Sequence, residues 1–250
     1  MADTVIEATG LEVGYNRHTV LDGLDFHLHA GEVVLVVGNS GCGKSTLLKT
    51  LIGLVPPRAG RISLFGRTSH GLDPAERGPL LRRCGVMFQY GALLNSLTVG
   101  ENVILPLEMH TDLAPSFREA LARARLELVG LGGAFDLYPE ELSGGMRKRA
   151  ALARCMALEP EVLLCDEPGS GLDPVTAAGI DHLLLALNRS QGMALVIITH
   201  ELLSIRRLAG RIYMLDQGRG IFDGGLEAAT TSTDPVMQRF FHPDAPEAGS

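Results

Sequence analysis

A short apolar strand joined to a glycine-rich loop limits most strongly what this chain can fold into. Residues 33–37 read Val-Val-Leu-Val-Val, a run typical of a strand that is buried on both faces. Residues 38–45 match the pattern Gly-x-x-x-x-Gly-Lys-[Ser/Thr], and apolar residues then recur at helical spacing over 47–52. The order of strand, glycine loop and helix predicts an α/β fold with a phosphate-binding loop.

The composition of this loop has a direct physical interpretation. Its glycines let the backbone come close to a polyphosphate and point successive N–H groups into one concavity. Lys44 can reach the β- and γ-phosphates, and the hydroxyl of Ser45 can hold Mg²⁺. A chance glycine turn is the alternative in a chain with 30 glycines, but the flanking strand and helix argue against it. The residues expected to surround the phosphates are Gly38, Asn39, Ser40, Gly41, Cys42, Gly43, Lys44, Ser45 and Thr46.

Length and composition indicate a well-packed globule. The 250 residues allow one α/β domain or a domain with a small insertion, and 46% of them are hydrophobic. No apolar run approaches the ~18 residues that span a bilayer, and the N-terminus lacks a basic and apolar signal, so we expect a cytosolic chain. A net charge of −7 argues against general nucleic-acid binding. The four cysteines lack zinc-site spacing and are interpreted as core residues.

The segments on either side of this core differ in character. Residues 4–31 alternate apolar and polar side chains between glycine turns, which predicts an antiparallel β layer before the loop. Tyr15 lies in this layer, where it can offer a flat face to an adenine ring or be a half-buried strand tyrosine. Residues 91–160 instead predict an α-helical subdomain that is inserted into the α/β core.

Helix boundaries can be proposed inside that subdomain. Residues 116–119 read Ser-Phe-Arg-Glu, a capping box, so we expect a helix to begin there and to stop at Gly130. The apolar face expected of this helix consists of Phe117, Leu121, Ala124 and Leu128. Upstream, residues 97–109 are apolar but are interrupted by Gly100 and Pro106.

Polar side chains stand at the ends of three predicted strands. One apolar strand leads into Asp166 and Glu167, a second ends at His200, and a third has Gln89 at its tip. Carboxyl ends of parallel strands meet at the edge where α/β folds bind ligands. There Asp166 can orient Mg²⁺ and its waters, and Glu167 can polarise an attacking water. The alternative for Asp166 and Glu167 is a solvated acidic pair without a catalytic role. The alternative for Gln89 and His200 is a purely structural role.

The last third of the chain carries three further signals. Asp173 and Pro174 are expected to start a helix as its N-cap and first residue. Residues 211–223 predict a hairpin that turns at Gln217 and Gly218. The tail over 226–250 is expected to be partly mobile, although three of its apolar side chains, Met237, Phe240 and Phe241, can dock on the domain.

These motifs occur in one order and resemble the ATP-binding cassette (ABC) family of transporter ATPases over about residues 4–225. The specific part is Leu-Ser-Gly-Gly-Met at 142–146, because phosphate loops alone occur in many unrelated enzymes. The other matching segments are 38–46, Gln89, 163–167, 170–173 and His200. The resemblance implies a P-loop NTPase core with a mostly parallel central sheet, the N-terminal antiparallel layer and the inserted helical subdomain, and an enzyme that hydrolyses ATP.

The resemblance also implies roles in catalysis and metal binding. Ser45, Gln89 and Asp166 would hold Mg²⁺. Glu167 would be the catalytic base, and His200 would contact the γ-phosphate. The resemblance implies that Gln89 is a catalytic residue as well, together with Glu167 and His200.

Nucleotide binding in the family takes place between two subunits. Tyr15 would stack on adenine, while Lys44 and the loop amides would hold the phosphates. The family works as head-to-tail homodimers, so the signature of one subunit would close over the ATP of the other. The residues that this adds to the nucleotide site are Ser143, Gly144, Gly145 and Asp173.

Within the family, four segments look like the ATPases of the Mla/Mce lipid transporters: 88–94, 102–103, 106–107 and 142–154. Those systems move phospholipids or other hydrophobic molecules in the bacterial envelope. Their implied partners are an integral membrane permease (MlaE-like) and an MCE-domain protein, with the ATPase peripheral on the cytoplasmic face of the inner membrane. Cys165 departs from the common pattern without replacing a catalytic group.

Three other functions remain open at this stage. The first is the ATPase of an importer of amino acids or other small polar solutes, which predicts a periplasmic solute-binding partner. The second is a soluble cassette protein that acts on nucleic acid or the ribosome, which the net negative charge of the chain disfavours. The third is a degenerate cassette that serves only as a scaffold, which the filled catalytic positions disfavour.

Overall fold

The computed structural model describes residues 3–16, 18–69, 71–89 and 91–243, and within them the strands form two sheets. The antiparallel sheet contains β1 (Thr4–Tyr15), β2 (His18–His29), β4 (Ala59–Leu64) and β5 (Arg67–Thr68). The larger sheet contains β3 (Val33–Val37), β6 (Cys84–Met87), β7 (Val162–Asp166), β8 (Ala194–Ile198), β9 (Arg211–Asp216) and β10 (Arg219–Gly224). The strand orders are β2-β1-β4-β5 and β10-β9-β3-β8-β7-β6.

The larger sheet is parallel except at one edge, as the sequence predicts. Strand β3 pairs in parallel with β8 and β9, and β7 pairs in parallel with β6 and β8. Strand β10 is antiparallel to β9, and the hairpin turns at Gln217 and Gly218, which both have positive φ. Two consecutive positive φ angles match the twist that a tight hairpin requires. The predicted α/β class and the hairpin are confirmed.

The two faces of β3 explain why a continuous apolar run is needed there. Val34 and Val36 pack in the core that the strand shares with the antiparallel sheet, where Phe26 also lies. Leu35 and Val37 point to the other face and pack in the core formed with the helices. Because successive strand residues face opposite sides, a strand covered on both sides has no place for polar alternation.

Nine α-helices connect and cover these sheets in the described part of the chain. They are α1 (Lys44–Leu51), α2 (Pro74–Arg82), α3 (Val99–His110), α4 (Pro115–Leu128), α5 (Gly144–Cys155), α6 (Pro174–Gln191), α7 (Leu202–Leu208), α8 (Leu226–Thr230) and α9 (Pro235–Phe241). Helices α3, α4 and α5 pack on one another and form the helical subdomain, together with two short 3₁₀ helices. None of the described helices is long and apolar enough to cross a bilayer.

The start of α4 corrects the predicted capping box at 116–119. The N-cap is Ala114, no side chain caps the helix, and Ser116 already lies in its first turn. Pro115 occupies the first helical position, for which its fixed φ is suited. The capping box occurs instead at α3, where Thr98 Oγ1 accepts from the N–H of Glu101 at 3.2 Å and Glu101 Oε2 accepts from the N–H of Thr98 at 2.7 Å.

The buried face of α4 also differs from the prediction. Phe117 is 64% exposed and Leu128 is 45% exposed, whereas Ala122 and Leu126 are fully buried. Of the predicted face, Leu121 packs partly buried against the core, whereas Ala122 and Leu126, which were not predicted, form the fully buried part. Helix α3 itself continues through Gly100, where a Cβ would lie 2.5 Å from the ring of Phe135.

The C-terminal tail is folded as far as the structure describes it. Helices α8 and α9 pack on the domain, and Met237 and Phe241 are buried in the core on the helical side of the sheet. The predicted docking of these side chains is confirmed, so that residues 226–243 extend the domain beyond 225. The remaining part of the tail that was expected to be mobile, 244–250, lies outside the described residues.

Candidate functional site

The loop between β3 and α1 has the shape of an anion-binding cradle. Gly38, Gly41 and Gly43 have φ angles of 145°, 82° and 111°. A Cβ at Gly38 would lie 2.2 Å from the carbonyl oxygen of Leu215, and one at Gly43 would lie 2.6 Å from a methyl carbon of Leu21. Helix α1 begins at Lys44 without a side-chain cap, so its first N–H groups are directed at the loop.

Lys44 lies inside this cradle. Its Nζ donates to the carbonyl oxygens of Gly38 at 2.8 Å and Asn39 at 2.9 Å, and the residue is 8% exposed. A buried ammonium group next to convergent backbone N–H groups provides strong electrostatic attraction for a polyphosphate. The predicted role of this loop therefore fits its geometry.

Two oxygen-bearing side chains are candidate metal ligands, Ser45 in the first turn of α1 and Asp166 at the end of β7. Burial raises the pKa of the Asp166 carboxyl, and the neighbouring hydroxyl of Ser45 lowers this pKa but does not outweigh burial. A hydroxyl and a carboxylate are ligands that suit Mg²⁺, which takes its remaining ligands from phosphates and water. The described residues contain no cluster of three or more His, Cys, Asp or Glu side chains able to hold a metal without such help.

Glu167 connects three strand ends. Its Oε2 accepts a hydrogen bond from Gln89 Nε2 at 2.9 Å, and its Oε1 lies 2.8 Å from His200 Nδ1. Gln89 follows β6, Glu167 follows β7 and His200 follows β8, and these three strands are parallel neighbours. The structure thus brings the three predicted catalytic side chains into direct contact, although β6 ends at Met87, two residues earlier than expected.

The cradle and these side chains line one cavity of about 720 Å³. Its wall includes the predicted residues Gly38, Asn39, Ser40, Gly41, Gly43, Lys44, Ser45, Thr46, Gln89, Glu167 and His200. The wall also includes five residues that sequence analysis did not select, namely Val20, Leu202, Arg239, Phe240 and Pro243. Of these five, Phe240 alone had a sequence signal for docking, as one of the apolar side chains of the tail, and that signal did not predict the place of docking.

Several predicted residues lie away from the wall that the described residues form. Tyr15 is 50% exposed at the end of β1, so its contact with adenine stays a prediction. Cys42 is buried beside Lys44, and burial raises the pKa of its thiol. Tyr90, which belongs to the segment 88–94, lies outside the described residues.

The signature residues face another part of the surface. Ser143 is the N-cap of α5, where its Oγ accepts from the N–H of Met146 at 3.3 Å. Gly145 packs against the side chain of Thr176, because a Cβ there would lie 2.4 Å from its methyl carbon. The N–H of Thr176 is in turn bound by Asp173, whose pKa is lowered by its bonds to Thr176 and Val175. The expected N-cap role of Asp173 is confirmed, and it lies beside the signature.

Comparison with known proteins agrees with this arrangement. The profile of the ABC transporter family, ABC_tran, matches residues 21–170. The probable ribonucleotide transport ATP-binding protein mkl of Mycobacterium leprae is 37% identical over 95% of this chain and 68% of its own length. The methionine import ATP-binding protein MetN of Rhizobium johnstonii is 40% identical over 89% of this chain and 61% of its own length. This chain therefore spans about two thirds of the length of these relatives.

Solved structures show the same fold. A dimeric post-hydrolysis state of the ATP-binding cassette MJ0796, bound to ADP and Pi, superposes with a TM-score of 0.81 and 30% identity over 88% of this chain and 98% of the other. The protein cbiO1 of Clostridium perfringens, part of the cbiONQ transporter complex, superposes with a TM-score of 0.81 and 26% identity, covering 89% of each chain. The cradle, the predicted catalytic side chains and these likenesses agree, and we conclude that this chain belongs to the ABC transporter family as one of its ATP-hydrolysing cassettes.

Proposed function

We propose that this cassette supplies the energy for a transporter of phospholipids or other hydrophobic molecules in the bacterial envelope. The support is the likeness of segments 88–94 and 142–154 to the ATPases of Mla/Mce lipid transporters. In this proposal the chain binds an integral membrane permease on the cytoplasmic face of the inner membrane, and an MCE-domain protein completes the complex.

The contact of Glu167 with Gln89 and His200 is the observation that carries the proposed chemistry. Glu167 accepts a proton from the water that attacks the γ-phosphate, and His200 contacts that phosphate. Ser45, Asp166 and the amide oxygen of Gln89 would hold Mg²⁺, which would neutralise charge at the phosphates when bound. The side chains at the strand ends therefore position the water and the phosphate relative to each other.

The proposed working unit is a head-to-tail homodimer. Ser143, Gly144 and Gly145 lie outside the cavity wall of their own chain, which agrees with a place over the ATP of a second copy. The N-terminus of α5 offers N–H groups to an anion there. ATP binding closes this dimer, and hydrolysis reopens it. A dimeric cassette is already known among the similar structures.

Replacing Glu167 tests the chemistry directly. Glu167→Gln keeps the size and the contact with Gln89 but removes the base, so we expect kcat to fall at least about 100-fold. The variant should still bind ATP and accumulate as an ATP-bound dimer in size-exclusion chromatography. Glu12→Gln, an exposed substitution on β1, is the control and should hydrolyse ATP at the wild-type rate. Wild-type turnover by Glu167→Gln would refute the assigned role.

An importer of amino acids or other small polar solutes is the second candidate. The observation in its favour is the 40% identity to MetN over 89% of this chain. The two candidates differ in their partners, because the importer requires a periplasmic solute-binding protein and the lipid transporter requires an MCE-domain protein. Identifying the membrane complex that co-purifies with the tagged chain decides between them, and co-purified nucleic acid would instead indicate a cassette of the DNA or ribosome class.

A further inference from the structure

Lys148 lies where three segments of the chain meet. It belongs to α5, five residues after Ser143, and it is 8% exposed. Its Nζ donates to the main-chain carbonyl of Gln89 and lies 3.3 Å from the carbonyl oxygen of Glu167 and 3.5 Å from Oγ of Ser170. One ammonium group therefore connects the signature helix to the chain just beyond β6 and β7.

The ammonium group of Lys148 is fully matched by oxygen acceptors. Its three N–H donors match three oxygen acceptors, two of which belong to the main chain. Burial lowers the pKa of Lys148, while the negative charge of Glu167 opposes this effect. Because an apolar side chain would fill the same place without the desolvation cost, the presence of an ammonium group is explained by the oxygens that it binds.

The main-chain segments held by Lys148 are those whose side chains meet in the site. Gln89 and Glu167 contact each other through Nε2 and Oε2. Glu167 also has a φ of 49°, a strained backbone conformation that persists only when its surroundings hold it. The N–H of Glu167 donates to the carbonyl oxygen of Ile198 at 2.9 Å. The carbonyl oxygen of Glu167 accepts from Ser170 Oγ at 2.9 Å and from Lys148 Nζ.

We propose that Lys148 is a positioning residue that keeps the carboxylate of Glu167 aligned with Gln89 and ties this alignment to the position of the signature helix. The inference rests on the catalytic role proposed for Glu167. Because α5 begins at the signature residues, a displacement of these residues moves Nζ relative to both carbonyls. Contact of the signature with the second subunit is therefore communicated to the catalytic carboxylate through a single side chain.

A comparison of two neighbouring substitutions on α5 tests this role. Lys148→Met keeps most of the hydrocarbon stem but removes the ammonium group. Arg149→Met is the matched control, since Arg149 Nη1 also donates to a main-chain carbonyl, that of Val129 at 2.8 Å, and neither residue is part of the described cavity wall. Steady-state ATP hydrolysis by the full chain and thermal unfolding are measured for both variants.

We expect Lys148→Met to lower kcat about 10- to 100-fold, because a displacement of about 1 Å at a catalytic group costs up to this factor. The KM for MgATP should stay within about threefold of wild type, since Lys148 is not part of the described cavity wall. Lys148→Arg, which retains the charge, should recover part of kcat. Arg149→Met should keep kcat within about threefold of wild type, whatever its effect on the unfolding temperature.

The outcomes separate this inference from the proposal on which it rests. Turnover by Glu167→Gln at the wild-type rate would overturn the catalytic assignment itself. If Glu167→Gln is inactive, a kcat for Lys148→Met within about threefold of wild type, or an equal loss in Arg149→Met, would overturn the role of Lys148 alone. In the Glu167→Gln background, Lys148→Met should cause no further loss of the residual rate, because both act through the same carboxylate.

Discussion

Lys44 is the residue whose contacts are expected to change most when ATP binds. Its Nζ now donates to the carbonyl oxygens of Gly38 and Asn39, and phosphate oxygens compete for the same donors. Lys44→Met should weaken ATP binding about 10- to 100-fold, because a hydrogen bond to a charged group contributes about 1.5–3 kcal/mol. Titration with a fluorescent ATP analogue measures this change, with Glu12→Gln as the unaffected control. An affinity within about twofold of wild type would exclude a phosphate contact for Lys44.

The grouping of polar residues at strand ends could be predicted from the sequence. Gln89, Glu167 and His200 each follow an apolar run, and parallel strands bring their carboxyl ends to one edge. The contacts of 2.8 Å and 2.9 Å around Glu167 agree with that reasoning. Arg239 and Phe240 were not accessible in this way, because only the docking of α9 on the domain brings them to the cavity.

At the level of helices, a capping-box pattern in the sequence predicted the start of a helix less well than the residues around it did. The pattern Ser-x-x-Glu occurs at 116–119, but Pro115 moves the helix start one residue upstream of it. A capping box forms instead at Thr98 and Glu101, in a segment where Gly100 and Pro106 argued against a continuous helix. Asn102, fully buried in that helix, binds the carbonyls of the preceding loop, a contact that no local pattern encodes.

Substitutions at Thr98, which caps α3, and at Ser116, which was predicted to cap α4, give a matched test of helix capping. Thr98→Ala removes the Oγ1 acceptor for the N–H of Glu101 and should lower the free energy of unfolding by about 0.5–2 kcal/mol. Ser116→Ala should change it by less than about 0.5 kcal/mol, since Ser116 does not cap α4 and is exposed. Urea unfolding followed by circular dichroism measures both values. A larger loss for Ser116→Ala than for Thr98→Ala would restore the capping box at 116–119.

The choice of the buried face on α4 shows what periodicity leaves undetermined. Residues 117, 121, 124 and 128 have helical spacing, and so have Arg118, Ala122 and Leu126. Ala122 and Leu126 of the second row are fully buried, because a small and an aliphatic side chain let α4 approach the neighbouring helices closely, and Leu121 of the first row is partly buried against the same core. The spacing predicts a helix in either case, but only the neighbouring helices determine which row is buried.

Arg211 joins the two sheets through charged contacts and makes stability depend on pH. It donates to Glu32 Oε1 at 2.6 Å and to the carbonyl of His27 on β2 at 2.6 Å. Burial by itself raises the pKa of Glu32, but the bonds from Arg211 and from the N–H of His29 outweigh it and hold the pKa below 4.5. A lowered carboxyl pKa contributes stability above pH 4.5, and that stability is lost as the pH falls through the folded-state value.

Glu32→Gln should therefore lower the free energy of unfolding by about 1.5–3 kcal/mol at neutral pH. The difference from wild type should shrink as the pH is lowered below 4.5, because wild-type Glu32 then becomes protonated too. Glu161→Gln is the control, since Glu161 forms an exposed pair with Arg83 and should cost less than about 1 kcal/mol. Urea unfolding across this pH range provides the measurement, and a constant difference for Glu32→Gln would argue against the linkage.

At the level of the whole molecule, the two predicted halves of the nucleotide site lie apart on one chain. Lys44 lines the cavity, whereas Ser143 caps α5 on another part of the surface. The sequence motifs identify both halves, but no pattern in a single chain states that they act on different copies. That expectation comes from the family resemblance, and a single folded chain agrees with it because the two halves do not meet.

Mixed dimers test this arrangement. Lys44→Met damages the phosphate cradle, and Ser143→Arg damages the signature, so homodimers of either variant should have little ATPase activity. In a dimer with one copy of each, both defects fall on the same composite site, and the other site combines an intact cradle with an intact signature. Such dimers, isolated through two different affinity tags, should hydrolyse ATP at about half the wild-type rate, because one of two equivalent sites is intact. If each site instead belonged to a single chain, the mixed dimers would be no more active than the parent variants.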